Sequence, residues 1–304
     1  MSNIPSAIHG VTHTQPSFAV PAGATDCHVH VFGPGETFPW SPSRVYTPGD
    51  ASVESLLAHQ AALNLSRVVV VHPSPYGTDN ACTLDALRRL GPRARGVAVI
   101  DPATITDAEL VAMQDVGIRG CRANLQTGGV SDPTASWEIL RHLRDRISPL
   151  GWHVQVFTSL AIIEALHDRL MDFGVMLVVD HFGGAKSALG IGQPGFAALV
   201  SLAAKGQAYV KLSAAYRVSA QPDAADVLPL AQALIKANPD RMLWGSDWPH
   251  PGGAKREGAL RDEIEPFHAV DDGAALNRLV SWAGGDATML RRILVDNPAR
   301  LYGF

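Results

Sequence analysis

Two histidines separated by one residue, His28 and His30, have the spacing in this chain that most directly suggests chemistry. They lie in the segment TDCHVHVFGPG, which begins at Thr25 and reads as a short apolar strand followed by a glycine-proline turn. Side chains two residues apart lie on the same face of a strand, so Asp26, His28 and His30 are predicted to point in one direction. Two imidazoles at the end of a strand can transfer protons, polarise a carbonyl or bind a divalent metal ion.

Two later segments also place an aspartate and a histidine directly after predicted strands. VVDHFGG contains Asp180 and His181, and LWGSDWPHPGG contains Asp247 and His250. Taken alone, Asp247 could be a helix N-cap and His250 an ordinary loop histidine. Because both segments follow strands, as the first histidine pair does, a shared site is the stronger interpretation.

The elements that must position these residues are short apolar runs that alternate with amphipathic stretches. Eight candidate strands are recognised, at residues 26–32, 67–71, 96–100, 120–123, 153–157, 176–180, 208–212 and 242–245. Strands that alternate with helices favour a parallel sheet, and eight such units in about 280 residues have the size of a (β/α)8 TIM barrel. We therefore predict an α/β fold with a short extended N-terminal arm, residues 1–23, and one barrel domain, residues 24–304.

A doubly wound open sheet is the competing fold. No G-x-G-x-x-G follows the first strand, so nothing suggests a dinucleotide site. Closing eight strands into a ring would bring His28, His30, His181 and Asp247 to the same end of the barrel, the carboxyl end, where barrel active sites lie.

The composition excludes several other classes of function. Hydrophobic residues make up 46% and charged residues 18%, and the net charge of −4 comes without a long basic run, so nucleic acid is not an expected partner. The three cysteines are scattered, which argues against a disulfide framework and a thiolate zinc site. With no long apolar segment and no signal peptide, we expect no membrane partner and a cytoplasmic location, while monomer and homo-oligomer both stay open.

Taken together, these motifs resemble the amidohydrolase superfamily. The H-x-H after the first strand, VVDHFGG, GSDWPH and the terminal DNPARLYGF carry the resemblance, which extends over residues 24–304. The run HVHVFGPGETFPWSPSRVYTP, at residues 28–48, is especially similar to the branch that contains the 2-pyrone-4,6-dicarboxylate lactonases and related lactone-processing enzymes. The resemblance implies a (β/α)8 barrel that hydrolyses a cyclic ester.

The resemblance also implies roles for individual residues. Asp247 would be the general base that activates water, and His28, His30 and His181 would polarise the lactone carbonyl. The expected substrate contacts are Tyr46, Ser74, Arg122 and Arg217, with His250 as a further candidate. Arginine suits a small anionic substrate because its guanidinium can bind both oxygens of a carboxylate.

Three departures from the family pattern alter the expected substrate contacts. The segment after Arg122 offers no second cation, Phe157 stands where the lactonase has a tyrosine, and Gly252 stands where it has an asparagine. Because the predicted chemical groups are kept, we expect the same type of reaction on a different substrate that carries fewer carboxylates.

Whether the site needs a metal depends on two of these positions. Binuclear members take ligands from strands four and five, where this chain has Arg122 and Phe157. A binuclear centre is therefore not expected, and the resemblance to the lactonases implies that no cofactor is required. A single divalent ion, zinc or manganese, on His28, His30, His181 and Asp247 is the open alternative.

Three functional hypotheses follow from the sequence. The leading one is a metal-independent hydrolase of an anionic lactone or similar cyclic ester. The second is a mononuclear metal-dependent hydrolase or decarboxylase that uses the same histidines and aspartate. The third is a non-catalytic barrel that binds an acidic metabolite.

Overall fold

The barrel predicted from the sequence is present. The structure is a computed structural model that describes residues 4–5, 12–252, 260 and 262–304. Its central parallel sheet has eight strands in this part of the chain: β1 (Thr25–Val29), β2 (Arg67–Val71), β3 (Ala94–Ala98), β4 (Ile118–Asn124), β5 (His153–Phe157), β6 (Leu177–Val179), β7 (Ala208–Ser213) and β8 (Met242–Gly245). Each strand pairs with the next in chain order. The ring closes between β8 and β1 through a parallel bridge from Val29 to Trp248.

Helices occupy the connections between strands and cover the outside of the barrel. The α-helices of the described residues are α1 (Val53–Ala62), α2 (Ala81–Leu90), α3 (Asp107–Val116), α4 (Pro133–Ile147), α5 (Leu160–Ala165), α6 (His167–Met171), α7 (Phe196–Ala204), α8 (Ala215–Val218), α9 (Leu228–Ala237), α10 (Asp272–Trp282), α11 (Ala287–Arg291) and α12 (Asn297–Tyr302). Short 3-10 turns lie at Ser74–Tyr76, Gly91–Arg93, Ser148–Leu150, His181–Gly184, Ser187–Leu189, Ala225–Val227 and Pro239–Arg241, and a π-helical segment lies at Arg292–Asp296. Two-residue strands pair Ile4–Pro5 with Thr12–His13 and Thr47–Pro48 with Ile264–Glu265. No helix in the described ranges is long and apolar enough to cross a membrane.

The first strand departs from simple alternation, so the predicted common direction of Asp26, His28 and His30 is wrong for Asp26. Asp26 pairs with Val68 and Val29 pairs with Val70, which leaves one extra residue on β1. Such a β-bulge shifts the side-chain alternation by one position. Asp26 consequently accepts hydrogen bonds from the backbone and hydroxyl of Ser246, whereas both histidines face the barrel interior.

The barrel interior is apolar at its floor and polar above it. A buried cluster fills the floor: Cys27, Val69, Val71, Val97, Val178, Tyr209, Leu243 and Tyr302. The next inward position on several strands carries a polar or charged side chain instead, beginning with Gln155 on β5 and Lys211 on β7, both fully buried. The site therefore lies on a packed floor at the carboxyl end of the strands.

The described part of the predicted N-terminal arm lies against α10. The backbone and hydroxyl of Thr14 both donate to Asp271, and the backbone of Ser17 donates to Asn277. A Cβ at Gly273 would lie 1.6 Å from the Thr14 carbonyl oxygen, so only glycine allows this approach. Residues 1–3 and 6–11 of the arm lie outside the described residues, and the division into arm and domain at residue 24 stays a prediction.

Candidate active site

The four residues predicted to carry the chemistry meet at the carboxyl end of the barrel. His28 lies near the end of β1, His30 directly follows β1, His181 follows β6 and Asp247 follows β8. All four are at least 96% buried. The Nε2 atoms of the three histidines lie 3.5, 3.5 and 3.7 Å from Oδ1 of Asp247. We call these four residues the mouth cluster.

The contact between β8 and β1 places Asp247 among the histidines. The backbone of Asp247 donates to the His28 carbonyl at 2.9 Å, and the backbone of His30 donates to the Trp248 carbonyl at 2.8 Å. A Cβ at Gly245 would lie 2.7 Å from the Cβ of His28, so the glycine in GSDWPH lets the two strands approach. Asp247 itself has a φ of +68°, an uncommon backbone conformation that turns the chain out of β8.

The two oxygens of Asp247 have different surroundings. Oδ2 accepts hydrogen bonds from the Tyr216 hydroxyl at 2.6 Å and from Nε of Arg217 at 2.9 Å. Oδ1 is buried without a hydrogen-bond partner and faces the histidines. Burial alone would raise the pKa of the Asp247 carboxyl, but the Arg217 guanidinium and the His181 ring hold it well below its ordinary value of 3.8. Asp247 is therefore a carboxylate at neutral pH.

The partners of the Nδ1 atoms show that the three histidines are not equivalent. Nδ1 of His30 lies 2.8 Å from the Val71 carbonyl, which can only accept, so the neutral ring carries its proton there and leaves Nε2 as an acceptor. The predicted carbonyl-polarising role of His30 would thus require a protonated ring. Nδ1 of His181 lies 2.8 Å from the Ser213 hydroxyl, which suits either tautomer. Burial lowers the pKa of His181 to about 4, so this ring is neutral at pH 7.

A fully buried polar layer lies beneath the histidines, and the sequence analysis missed two of its members, Gln155 and Lys211, as part of the site. Asp180, Gln155 and Lys211 meet there, and Nζ of Lys211 lies 2.7 Å from Oε1 of Gln155 and 3.2 Å from Nδ1 of His28. Nδ1 of His28 also lies 3.3 Å from Oδ1 of Asp180. A lysine inside the otherwise apolar strand AYVKLS is the sequence signal that could have identified the layer.

Arg122 has a protein partner that sequence proximity did not reveal. Its Nη2 and Nε lie 3.0 and 3.2 Å from Oδ2 of Asp180, and its guanidinium lies 5.6 Å from the centre of the Phe157 ring. Part of the group expected to bind a substrate carboxylate is therefore already paired with a carboxylate from the end of β6.

Two cavities open at this end of the barrel. The inner one has a volume of about 20 Å³, enough for one water molecule. Its lining residues are His30, Tyr46, Ser74, Arg122, Asn124, Thr127, Phe157, His181, Arg217, Asp247 and Pro251. The outer one measures about 970 Å³, which is within the size range of small-molecule sites, and it shares Phe157, His181 and Arg217 with the inner one. The predicted contacts Tyr46, Ser74, Arg122 and Arg217 thus all line the inner cavity.

His250, in contrast, does not line either of these two cavities. Its Nε2 lies 2.9 Å from Oδ1 of Asp272 at the start of α10, and the ring is 98% buried. Burial alone would lower the pKa of His250, but the Asp272 carboxylate outweighs it and raises the pKa. The His250 imidazole is therefore turned away from both cavities towards a buried carboxylate, and its role as a substrate contact stays a prediction.

The mouth cluster has the spacing of a single metal site but not its usual charge surroundings. Ligand atoms about 2.1 Å from a tetrahedral ion lie about 3.4 Å apart, close to the distances around Oδ1 of Asp247. Nε2 of His28 and Oδ1 of Asp247 are both buried without partners. Two cations argue against a bound metal ion, because Arg217 already binds the Asp247 carboxylate and Lys211 lies next to Nδ1 of His28. At the binuclear positions, Arg122 and Phe157 supply no ligand.

Comparisons with known proteins match nearly the whole chain to one family. The profile of the amidohydrolase family matches residues 25–304. The 4-sulfomuconolactone hydrolase of Rhizobium radiobacter is 38% identical over 94% of this chain and 92% of that protein. The 2-pyrone-4,6-dicarboxylate hydrolase of Comamonas testosteroni is 37% identical over 95% of this chain and 93% of that protein. A solved structure of a probable 2-pyrone-4,6-dicarboxylic acid hydrolase from Acinetobacter baumannii, with citric acid bound, has a TM-score of 0.73 and 28% identity, and the match covers 93% of this chain and all of that one.

Proposed function

The chain belongs to the amidohydrolase family, and from this premise we propose that it opens an anionic lactone or a related cyclic ester by metal-independent hydrolysis. The observation that carries the proposal is the free Oδ1 of Asp247, which faces three histidines beside a cavity of about 20 Å³. The names of the two curated relatives, both lactone hydrolases, support the class of substrate.

In this proposal, Asp247 and His30 hold the attacking water. Oδ1 of Asp247 and Nε2 of His30 lie 3.5 Å apart and both residues line the inner cavity, so a water molecule there can donate to the Asp247 carboxylate while it contacts His30. Its lone pair then stays free to attack the lactone carbonyl carbon. As the new C–O bond forms, Asp247 takes a proton from the water. When the acyl–oxygen bond breaks, Asp247 returns that proton to the departing ring oxygen, which leaves as a hydroxyl group.

His28 takes a different role in the proposal from that of His30. Its Nε2 lies 3.5 Å from Oδ1 of Asp247, which lines the inner cavity, and is buried without a partner. In the proposal this atom carries a proton and donates to the oxygen on which negative charge develops. One such donor is typically worth about 10²–10³ in rate. His181 supplies a second polar contact. The Ser213 hydroxyl next to its Nδ1 allows either tautomer of the ring.

Arg217 connects binding of the substrate to activation of Asp247. In the free protein its guanidinium pairs with Oδ2 of Asp247 and holds the pKa of that carboxyl low. A substrate carboxylate that binds Arg217 competes for this cation, so the Asp247 carboxylate becomes a stronger base. Arg122 is already partly paired to Asp180, and the apolar side chain of Phe157 lines the cavity. We therefore propose a substrate with fewer carboxylates than 2-pyrone-4,6-dicarboxylate.

The test is a panel of lactones that differ in the number and position of their acidic groups. The panel includes 2-pyrone-4,6-dicarboxylate, 4-sulfomuconolactone and lactones with a single carboxylate, and ring opening is followed for wild type, Asp247→Asn and Asp168→Asn. Asp168 is a fully exposed aspartate on α6 and provides the matched control. We expect turnover by wild type and the control and its loss in Asp247→Asn; equal turnover by all three proteins would remove Asp247 as the base. Thermal stabilisation by these ligands without product would instead support the non-catalytic binder.

A mononuclear metal-dependent hydrolase or decarboxylase is the second candidate. The convergence of three Nε2 atoms on one carboxylate oxygen favours it. An ion held there would supply Lewis-acid polarisation of the substrate and a more acidic bound water. Stoichiometric metal in the purified protein, with activity lost on chelation, would establish this candidate in place of the first.

A further inference from the structure

Lys211 is a fully buried cation that contacts the mouth cluster from below without lining either cavity. Its ammonium group has three protons and no lone pair, so it can only donate. Three acceptors surround it: Oε1 of Gln155 at 2.7 Å, Nδ1 of His28 at 3.2 Å and Oδ1 of Asp180 at 3.5 Å. The number of donors therefore matches the number of acceptors.

Nδ1 of His28 lies between two groups that demand opposite protonation. If it accepts from Lys211, the ring proton is on Nε2. If it donates to Oδ1 of Asp180, 3.3 Å away, Nε2 is left with a lone pair. Only the first form offers a donor to a reacting oxygen, and only the second can bind a metal ion through Nε2.

The orientation of Gln155 favours the first form. Its Nε2 donates to Oδ2 of Asp180 at 3.1 Å, and its Oε1 faces Lys211. Oδ2 of Asp180 also accepts from Arg122, so this carboxylate is already held by two donors. Oδ2 of Asp180 is thus held without a proton from His28. Its Oδ1 is buried without a hydrogen-bond partner and lies 3.5 Å from Nζ of Lys211, so Nδ1 of His28, at 3.2 Å, is the nearer acceptor for the second ammonium proton.

We propose that Lys211 is a positioning residue that fixes His28 with a bare Nδ1 and a protonated Nε2, so that His28 presents a hydrogen-bond donor to the mouth in place of a metal-binding lone pair. The consequence for rate rests on the proposed lactone hydrolysis. The protonation of His28 is a property of the free protein and is tested without turnover.

The direct test is ¹⁵N NMR of the imidazole nitrogens in the free wild-type protein, with the signals of His28 assigned by their loss in His28→Gln. We expect a protonated Nε2 and an unprotonated Nδ1. The reverse pattern would overturn the proposal. Because this spectrum needs no Lys211 variant and no substrate, it gives an answer even if Lys211→Met fails to fold or no lactone is turned over.

The second test uses Lys211→Met, with Lys236→Met on the exposed side of α9 as the matched control. Loss of the ammonium lets His28 donate to Asp180, so we expect Nδ1 to become protonated and kcat to fall by about 10²-fold with KM little changed. We also expect Lys211→Met to bind added zinc more tightly than wild type and the control do. Equal zinc affinity in the three folded proteins, or an unchanged His28 spectrum in Lys211→Met, would contradict the proposal.

Discussion

Two buried clusters of three histidines and one aspartate lie on either side of the junction between β8 and β1. The mouth cluster consists of His28, His30, His181 and Asp247. The other, which we call the rear cluster, consists of His13, His59, His250 and Asp272, and it joins the N-terminal arm and α1 to the start of α10. Both clusters have the residue types of a catalytic or metal site, and both are almost completely buried.

The two clusters differ in their access to a cavity and in the charged group that binds their carboxylate. Three members of the mouth cluster line the inner cavity, and Arg217 binds its carboxylate. The rear cluster lines neither of the cavities described at the mouth, and its carboxylate is held by His250 at 2.9 Å. The types of residue in a cluster therefore do not identify an active site by themselves, because a substrate also needs a cavity through which it can reach them.

The clusters also differ in whether burial or a nearby carboxylate has the larger effect on the pKa of a histidine. Burial dominates at His181, whose Nε2 is 3.7 Å from the nearest carboxylate oxygen of Asp247, and lowers its pKa to about 4. At His250, the direct hydrogen bond to Asp272 outweighs burial and raises the pKa. The mouth therefore holds a neutral ring at His181, whereas the rear cluster favours an ion pair at His250.

The largest expected effect is that of Asp247→Asn. We expect kcat on a turned-over lactone to fall by about 10³-fold, because the amide accepts the proton of water poorly. Steady-state kinetics on the purified variant measure this, with circular dichroism as the check on folding. A loss of less than tenfold would mean that the mouth aspartate is not the base.

A smaller loss is expected for His28→Gln. Removing the donor at Nε2 should lower kcat by about 10²-fold, since one donor to the developing oxyanion is lost. The rear histidine His59, substituted in the same way, provides the control. If both variants lose the same fraction of kcat, the loss reflects general disturbance of β1 and not a donor at the mouth.

A substitution in the rear cluster should lower the stability of the protein and leave kcat almost unchanged. In Asp272→Asn the buried His250 loses its charged partner, and we expect the free energy of unfolding to fall by about 3 kcal/mol. Denaturant unfolding measures this change, and the kcat of the folded variant should stay close to that of wild type. A kcat loss as large as that of Asp247→Asn would place the rear cluster in the catalytic machinery.

The smallest expected effect is a pH dependence with opposite signs in the two clusters. The folded pKa of His181 is about 4 against an ordinary 6.5, so its contribution to stability is present above pH 6.5 and is lost as the pH falls towards 4. Between pH 7 and pH 5 this amounts to about 2 kcal/mol. The raised pKa of His250 contributes stability that is present below pH 6.5 and is lost as the pH rises through the folded value.

Unfolding curves of His181→Gln and His250→Gln across this pH range test the difference. Relative to wild type, the first variant should lose less stability on acidification, and the second should lose more. Changes of the same sign in both variants would contradict the comparison between the clusters.

The sequence was sufficient to predict the barrel and the mouth cluster. The bounds of β2, β5 and β8 are as predicted, because continuous apolar runs between turns identify buried strands well. The H-x-H and the two later motifs came together because the carboxyl ends of parallel strands share one end of a barrel.

The features that the sequence analysis did not predict have physical causes that a pattern of residues does not contain. The bulge in β1 inserts one residue and turns Asp26 outward, although the local sequence alternates normally. The direction of His250 depends on Asp272, which is 22 residues away in the sequence. The pairing of Arg122 with Asp180 and of Lys211 with His28 likewise depends on which strands are neighbours across the barrel interior.

The proposed function requires that the mouth cluster hydrolyses an anionic lactone without a metal ion. The most direct measurement is kcat on the lactone turned over fastest, determined together with the metal content of the same protein before and after removal of divalent metals and after addition of zinc or manganese. We expect full activity at a small fraction of one metal ion per chain and no increase on adding either ion. Activity that rises in proportion to bound metal, up to one ion per chain, would contradict it.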